Sequence, residues 1–215
     1  MSLGIGNYTV TVTDNKGCTI TGSTSINQPT QFTHTPLVPT NILCFGASTG
    51  AISTSAAGGT PGYTYTWSPT GTGANPTGLA AAQYNVTIQD ANRCQILDSV
   101  VLTQPATALT ITSTHTDVTC NNGNNGIVTV AASGGTGADT YTWNPNVTTS
   151  DSISTATAGI YNITVTDANA CTATTTQTVA QPVALTITET HVNETCYGAT
   201  QGSITTTPAG GTTPY

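Results

Sequence analysis

Apolar and polar residues alternate along this chain in short runs that turns interrupt at regular intervals. The clearest run is Tyr161–Thr166, whose odd-numbered positions are apolar and whose even-numbered positions are polar. A period of two predicts a β-strand with one buried face and one wet face. Residues 167–170 then predict a hairpin turn, and Thr172–Val179 predicts the returning strand.

The residues before this hairpin predict further strands. Leu109 begins an alternating strand that runs towards Cys120, and after a turn rich in Asn and Gly the strand Ile127–Ala132 returns. Tyr141–Trp143 forms another short strand, and residues 147–158 are weakly patterned, with room for one or two edge strands. Six or seven short strands with no helical period predict an all-β sandwich.

The whole pattern repeats with a period of 76 or 77 residues. A period that long corresponds to one small domain per copy and not to one turn of a solenoid. The recurring hairpin residues are Tyr8, Asp14, Cys18 and Gln28-Pro29, then Tyr84, Asp90, Cys94 and Gln104-Pro105, then Tyr161, Asp167, Cys171 and Gln181-Pro182. Because the chain starts and stops within a repeat, we expect it to be a fragment of something longer.

Composition supports folded β-structure and excludes several partners. Thr accounts for 51 residues, and its branched side chain suits a pleated, half-buried surface. Lys16 and Arg93 are the two basic residues and the net charge is -7, which argues against nucleic acid and against anionic membranes. No apolar run is long enough to span a bilayer, and residues 1–3 predict no signal peptide.

The recurring aromatic residues are expected to form the core. Trp67 and Trp143 each follow a Tyr by two positions, so both rings point to one face of the strand. A sandwich packs such a Trp at its centre, whereas the alternative is a ring that stacks on a sugar. The residues predicted for the core are Trp67, Trp143, Tyr8, Tyr84 and Tyr161.

The recurring carboxylates are expected to be structural. Asp14, Asp90 and Asp167 each stand at a hairpin turn, where an Asx cap accounts for them. Calcium is the alternative, but it prefers several carboxylates and each repeat offers one at a fixed position. His, Ser and Asp form no repeated constellation and no phosphate loop is present. We therefore predict no catalytic residue, no metal, no cofactor and no enzyme.

Two sets of residues resemble known families. The run from Gly58 to Trp67, followed by residues 82–90, resembles the tryptophan and tyrosine strands of PKD-type immunoglobulin-like domains. Together with Cys44–Gly50, residues 79–81 and Asn162–Cys171, it is similar to the SprB-type repeat of giant gliding-motility and cell-surface adhesins. In this chain Arg93 and Ala170 replace a usual Gly, and residues 137–139 replace the usual entry to the Trp strand, which puts the local turn geometry in doubt.

The resemblance implies tandem immunoglobulin-like (PKD-like) sandwiches in an elongated array, with boundaries at Gln-Pro. The predicted domains are a partial repeat holding the last two strands (4–29), full repeats at 30–105 and 106–182, and a partial repeat holding the first strands (183–215). It also implies export by type IX secretion to the cell surface and a role in gliding. Ser99 and Ser152 follow Asp and precede an apolar residue, a pattern that resembles an O-glycosylation motif of the gliding bacteria that carry such adhesins.

The function implied is a non-catalytic segment of a secreted adhesin that acts as a stalk, spacer and surface-contact module. Its expected partners are neighbouring repeats and a polysaccharide or abiotic surface. The alternatives are a carbohydrate-binding or accessory module of a secreted polysaccharide-degrading enzyme, and a structural sheath or S-layer subunit.

Six cysteines, two per repeat and without C-x-x-C spacing, predict disulfides in an oxidising compartment, with buried free thiols as the alternative. The candidates are Cys18, Cys44, Cys94, Cys120, Cys171 and Cys196. In the implied sandwich, the two cysteines of one repeat lie at opposite ends, too far apart to bond. Two pairings stay open: a head-to-tail bond from Cys44 to Cys171 of the next repeat, or a local bond of the type Cys18–Cys44.

Overall fold

The computed structural model describes residues 2–215, which form an all-β fold in two compact units. The first unit contains the chain up to Ile42 together with Ala47–Gln104, and the second contains Leu43–Gly46 together with Pro105–Tyr215. No helix able to cross a membrane is present in this part of the chain. The all-β class that the sequence predicts is confirmed by the strands described below.

The first unit begins with a hairpin. Strands β1 (Gly6–Thr13) and β2 (Thr19–Ile26) pair antiparallel in a two-stranded sheet, and the predicted turn at Asp14 lies between them. The side chains of this hairpin are mostly exposed, including Val10 at 60% and Ile20 at 72%.

The rest of the first unit is a full repeat with eight strands in three sheets, ordered β3-β6, β4-β5-β8 and β10-β9-β7. The strands are β3 (Thr33–His34), β4 (Val38–Thr40), β5 (Gly50–Ser53), β6 (Ala56–Ala57), β7 (Thr64–Ser68), β8 (Thr77–Leu79), β9 (Ala82–Gln89) and β10 (Gln95–Leu102).

Eight strands exceed the six or seven that the sequence predicts, because the first hairpin of this repeat is divided. Pro36 lies between β3 and β4 and has no N–H to donate to a ladder. Beside it, the Thr35 N–H donates to the Ser55 carbonyl at 2.8 Å and the Thr54 hydroxyl donates to the Thr35 carbonyl at 2.7 Å. These bonds keep the two halves of the hairpin together across the interruption.

The core of the first repeat is formed by side chains of β5, β7, β8, β9 and β10 together with Ile42. Its buried side chains are Ile42, Ile52, Trp67, Leu79, Tyr84, Val86, Ile88 and Leu102. In β9 the buried residues are the alternate positions Tyr84, Val86 and Ile88, as the period of two predicts.

The second unit contains the next full repeat, with six strands in two sheets ordered β11-β12-β14 and β13-β15-β16. The strands are β11 (Thr110–Thr116), β12 (Gly126–Ser133), β13 (Thr140–Asn144), β14 (Ser152–Ala156), β15 (Gly159–Thr166) and β16 (Thr172–Val179). Strand β11 ends at Thr116 and does not continue towards Cys120. Beyond it the Val118 N–H donates to the Ala180 carbonyl at 3.2 Å, after the end of β16.

The two sheets of this repeat enclose one core, and β11 contacts β16 of the other sheet. The core residues are Val118, Val128, Val130, Trp143, Ile153, Ala156, Tyr161, Ile163, Val165 and Val179. Val128, Ile163 and Val165 are completely buried. Burying a side chain of that size stabilises the fold by about 1.5–3 kcal/mol, so these alternating positions define the sandwich.

The second unit ends in another hairpin. Strands β17 (Thr186–Val192) and β18 (Ser203–Ala209) pair antiparallel in a two-stranded sheet. Their side chains are exposed, with Ile187 at 65% and Ile204 at 74%. The buried apolar side chains among the described residues therefore lie in the two full repeats.

Candidate functional site

Cys44 and Cys171 form a disulfide within the second unit. Their Cα atoms are 5.6 Å apart, inside the range that a disulfide can bridge. This bond is the head-to-tail pairing of the two that the sequence leaves open. The local pairing Cys18–Cys44 is wrong, because Cys18 has a free thiol. The other free and exposed thiols among the described residues are Cys94, Cys120 and Cys196.

The hairpin that carries Cys171 is organised by the Asp167 carboxylate. Its Oδ1 accepts hydrogen bonds from the backbone N–H groups of Asn169 at 2.9 Å and Cys171 at 2.8 Å. Its Oδ2 accepts from the Thr136 N–H at 2.9 Å, which fastens the hairpin to the preceding glycine turn. Beside the disulfide, the Asn169 side-chain amide donates to the Leu43 carbonyl at 3.2 Å.

The same arrangement recurs at the other hairpins, so the predicted Asx-type cap is present in all three. Asp90 accepts from the N–H groups of Thr60 at 2.9 Å and Cys94 at 2.8 Å. The Thr60 backbone N–H is the main reason why the pKa of the Asp90 carboxyl lies below its ordinary value. Asp14 accepts from the Cys18 N–H at 2.9 Å, and that bond is the main cause of a lowered pKa at Asp14 as well.

The residue before each hairpin cysteine adopts a left-handed backbone conformation. The φ angles are 85° at Gly17, 67° at Arg93 and 63° at Ala170. Arg93 and Ala170 therefore adopt the same turn conformation as Gly17, although they are not glycines. Among the described residues, no group of three His, Cys, Asp or Glu side chains could hold a metal ion.

The cysteines that open each repeat lie in a second kind of turn. The residue two positions after the cysteine is left-handed in every copy, with φ of 75° at Gly46, 58° at Asn122 and 79° at Gly198. At Cys120 the turn closes through the Gly123 N–H, which donates to the Cys120 carbonyl at 2.9 Å.

Two residues from the end of the same repeat, Gln181 and Pro182, hold the Cys120 turn in place. The Asn122 N–H donates to the Gln181 side-chain oxygen at 2.8 Å, and the Asn121 side-chain amide donates to the Pro182 carbonyl at 2.9 Å. The sequence pattern predicts only a repeat boundary at Gln181-Pro182. The recurrence of Gln before each Pro is the signal that could have identified this second role.

Four of the five predicted core aromatics are buried. The exposed fractions are 5% for Trp67, 2% for Trp143, 1% for Tyr84 and 3% for Tyr161. Tyr8 differs from the expectation, because it is only half-buried. Its strand β1 lies in a two-stranded sheet, whereas Tyr84 and Tyr161 lie on the central strands of three-stranded sheets.

The tyrosines have a further role that the alternation did not reveal. Each hydroxyl donates to a backbone carbonyl four residues upstream: Tyr8 to Gly4 at 2.8 Å, Tyr84 to Ala80 at 3.1 Å and Tyr161 to Thr157 at 2.9 Å. This contact is the tyrosine corner of immunoglobulin-like sandwiches. It fixes the chain at the entry to the strand that leads to the cysteine hairpin.

The outward surface of sheet β13-β15-β16 is a regular array of hydroxyl and amide groups, which we name the hydroxyl face. The register aligns three rows across the three strands, so the face comprises Thr140, Thr166 and Thr172, then Thr142, Thr164 and Thr174, then Asn144, Asn162 and Thr176. All nine are exposed or half-buried and none is charged. Neighbours lie about 4.8 Å apart across the strands and about 6.7 Å apart along them.

The two candidate glycosylation sites are accessible. Ser99 is exposed on β10 and Ser152 is exposed on β14. Each adjoins its aspartate: the Ser99 N–H donates to the Asp98 carboxylate at 2.7 Å, and the Ser152 hydroxyl donates to the Asp151 carboxylate at 3.2 Å. Glycosylation of these hydroxyls stays a prediction.

Comparison with solved structures shows a weak likeness, and comparison with curated proteins found no match. The chain is similar to the C-terminal 282-residue fragment of intimin in complex with the intimin-binding domain of the translocated intimin receptor, with 18% identity and a TM-score of 0.30. That alignment covers 84% of this chain and 59% of the other, which is less than two thirds of it.

Comparison with protein families gives a specific result. The family model of the SprB repeat matches residues 37–72, 112–148 and 188–215. These ranges cover the first strands of three successive copies, and the two inside the full repeats include the cysteine turn and the tryptophan strand. The resemblance inferred from the sequence is thereby confirmed: this chain contains SprB repeats in three successive copies.

Proposed function

We propose that this chain is a non-catalytic segment of a cell-surface adhesin, in which the repeats act as a spacer and also contact the substratum. The SprB repeats support a cell-surface, adhesin-like repeat region. Each full repeat also closes its own apolar core, so that length can grow by adding repeats without changing any of them. Export by type IX secretion and movement during gliding belong to the same proposal and follow from the family resemblance.

The observation that carries the contact role is the hydroxyl face. Its nine side chains offer hydrogen-bond donors and acceptors at regular spacing and no charge, so a matching partner is also uncharged and rich in hydroxyl groups. A neutral polysaccharide has this chemistry. Each exchanged hydrogen bond contributes only about 0.5–1.5 kcal/mol net, so one repeat binds weakly and a tandem array gains by multivalency.

Binding to polysaccharide films tests this role. We expect the chain to adsorb to a cellulose film in a quartz-crystal microbalance, and T142K/T174K to weaken adsorption by about tenfold, because the charged side chains must be desolvated against a neutral surface. The two positions flank Thr164 on separate strands, so the new charges are not directly opposite each other.

The matched control is T112K/T129K, which adds the same charge at exposed positions of the other sheet. We expect this control to bind within about twofold of the parent chain. Equal losses in both double variants would show that net charge, and not the hydroxyl face, governs adsorption, and the contact role would then be wrong.

Sugar stacking by an aromatic ring is the alternative that a carbohydrate-binding module would use. Trp67 and Trp143 are buried, so this mechanism depends on an exposed ring such as Phe45, which is 48% exposed. Loss of cellulose binding in F45A, with T142K/T174K unaffected, would favour the module over the hydroxyl face.

A further inference from the structure

Cys94 and Cys120 have the geometry of the bonded pair Cys171 and Cys44, but their thiols are free. We infer that each of them is one half of a disulfide of the Cys44–Cys171 type, formed with a neighbouring repeat and not with each other. Cys120 accepts the hairpin cysteine of a repeat that follows it, and Cys94 bonds to the cysteine turn of a repeat that precedes it. This inference concerns how repeats are joined and does not depend on the proposed adhesive role.

The turn at Cys120 is built on the same scaffold as the turn at Cys44. Two residues before each cysteine stands a buried apolar residue, Ile42 or Val118, each 3% exposed. Its N–H donates to a carbonyl just beyond the last strand of the repeat, from Ile42 to Thr103 at 2.9 Å and from Val118 to Ala180 at 3.2 Å. The thiol of Cys120 is therefore presented at a fixed place on the sandwich.

The Cys120 turn is held on both sides of the cysteine. Thr119 is bound by Asn125, whose Oδ1 accepts the Thr119 N–H at 3.1 Å and whose Nδ2 donates to the Thr119 hydroxyl at 2.8 Å. On the other side, Asn122 is held by Gln181. A thiol on a pre-ordered turn loses little freedom when it bonds, which favours a specific partner over random oxidation.

The hairpin at Cys94 matches the bonded hairpin at Cys171. Asp90 caps it as Asp167 caps the other, and Arg93 has the left-handed conformation of Ala170. Asn92 occupies the same position in its hairpin as Asn169, two residues before the cysteine. The Asn169 amide donates to the carbonyl that precedes the turn cysteine, whereas the Asn92 amide donates to the Thr60 hydroxyl at 2.7 Å. In the joint we infer, Asn92 donates instead to the carbonyl before the partner cysteine.

Formation of the joint is a two-electron oxidation. The two thiols lose two protons and two electrons, an S–S bond forms, and a disulfide oxidant that accepts them is reduced to two thiols. The bonded pair sets the spacing, since Cys44 and Cys171 are 127 residues apart. A repeat that follows this chain in the same register places its hairpin cysteine at that same distance from Cys120.

The test is a longer chain with residues 140–182 copied after Tyr215, which completes the last repeat and places the copied hairpin cysteine 127 residues after Cys120. We expect a non-reducing peptide map to show Cys44 bonded to Cys171 and Cys120 bonded to the copied cysteine. The parent chain has four reactive thiols, and the longer chain should have three although it contains one more cysteine.

Two variants of the longer chain serve as controls. C120S should leave the copied cysteine reactive, and C94S should leave the new bond intact. The inference is overturned if the copied cysteine bonds to Cys196, or stays reduced in preparations whose Cys44–Cys171 bond is formed. Quenching of tryptophan fluorescence tests whether the added repeat has folded, because its copied tryptophan should be buried. If that tryptophan is solvated, residues 183–215 are replaced by a copy of residues 107–182, which keeps the spacing of 127 residues. The peptide map of this second chain is judged by the same outcomes.

Discussion

At the scale of single residues, the first glycine of each Gly-Gly pair allows two backbone segments to approach. A Cβ placed on Gly58 would lie 1.9 Å from the Gln31 carbonyl oxygen, and one on Gly134 would lie 2.0 Å from that of Ala108. Both glycines also have a left-handed φ, 71° and 81°. Glycine is therefore required at this position for two separate reasons: its left-handed backbone conformation, and the lack of room for a Cβ atom.

A matched pair of substitutions separates these reasons. Gly78 has the same φ of 71° as Gly58, but a Cβ there would meet nothing within 4 Å. We expect G78A to lower the free energy of unfolding by about 1 kcal/mol, the cost of a Cβ in the left-handed region, and G58A to lower it by about 3 kcal/mol or more. Urea titrations followed by tryptophan fluorescence measure both values. Equal losses would mean that the close approach has no energetic weight.

At the scale of elements, the hairpin and the glycine turn are joined by one carboxylate. The pKa of Asp90 is below its ordinary value of 3.8, chiefly because the Thr60 N–H donates to it. A carboxyl whose pKa is lower in the folded than in the unfolded chain stabilises the fold above the ordinary pKa. That stabilisation is lost as the pH falls through the folded pKa.

The expected result is a first repeat that loses stability below about pH 4. In D90N the free energy of unfolding should be lower at neutral pH and should fall less between about pH 5 and about pH 2, because the amide does not ionise. Urea titrations across that range give both slopes. Parallel losses in the parent chain and D90N would show that Asp90 is not one of the groups responsible.

The strands themselves follow from the alternation, but the connections between distant residues do not. The period of two in Tyr161–Thr166 was enough to predict β15 and its buried face. The alternation alone does not place the tie between Asn122 and Gln181, which are 59 residues apart, although the recurring Gln before each Pro marks one of its ends. The division between β3 and β4 was also missed, because a Pro shortens a strand only where its missing N–H faces a partner.

The cysteine pairing shows the same limit. Composition predicted disulfides, and the family resemblance implied that the two cysteines of one repeat do not bond to each other. Choosing between the remaining pairings requires knowing which turn the hairpin of Cys171 meets, and this depends on packing and not on local pattern. The buried tryptophans needed no such knowledge, because their face follows from spacing alone.

At the scale of the whole molecule, the Cys44–Cys171 bond closes a long loop. Its two ends are 127 residues apart, and a loop of that order restricts the unfolded chain by about 4–5 kcal/mol in the chain-entropy treatment. We expect C44S/C171S to be less stable by about 2–5 kcal/mol, measured by urea unfolding without reductant.

The matched control for that measurement is C120S, which removes a thiol that is free in this chain. Its stability should stay within about 0.5 kcal/mol of the parent chain, as for an ordinary surface substitution. A double variant as stable as the parent would show that the bond constrains neither the folded nor the unfolded chain to a measurable extent.

The tie between Gln181 and the Cys120 turn has a consequence for order in time. The turn is held by residues 59 and 61 positions later in the chain, at the end of the last strand of the same repeat. A chain made from its N-terminus contains Cys120 well before it contains Gln181, so the turn gains this part of its support only when its own repeat is complete. Local bonds from Asn125 are available earlier, so the turn is completed in two stages, first within itself and then against the end of its repeat.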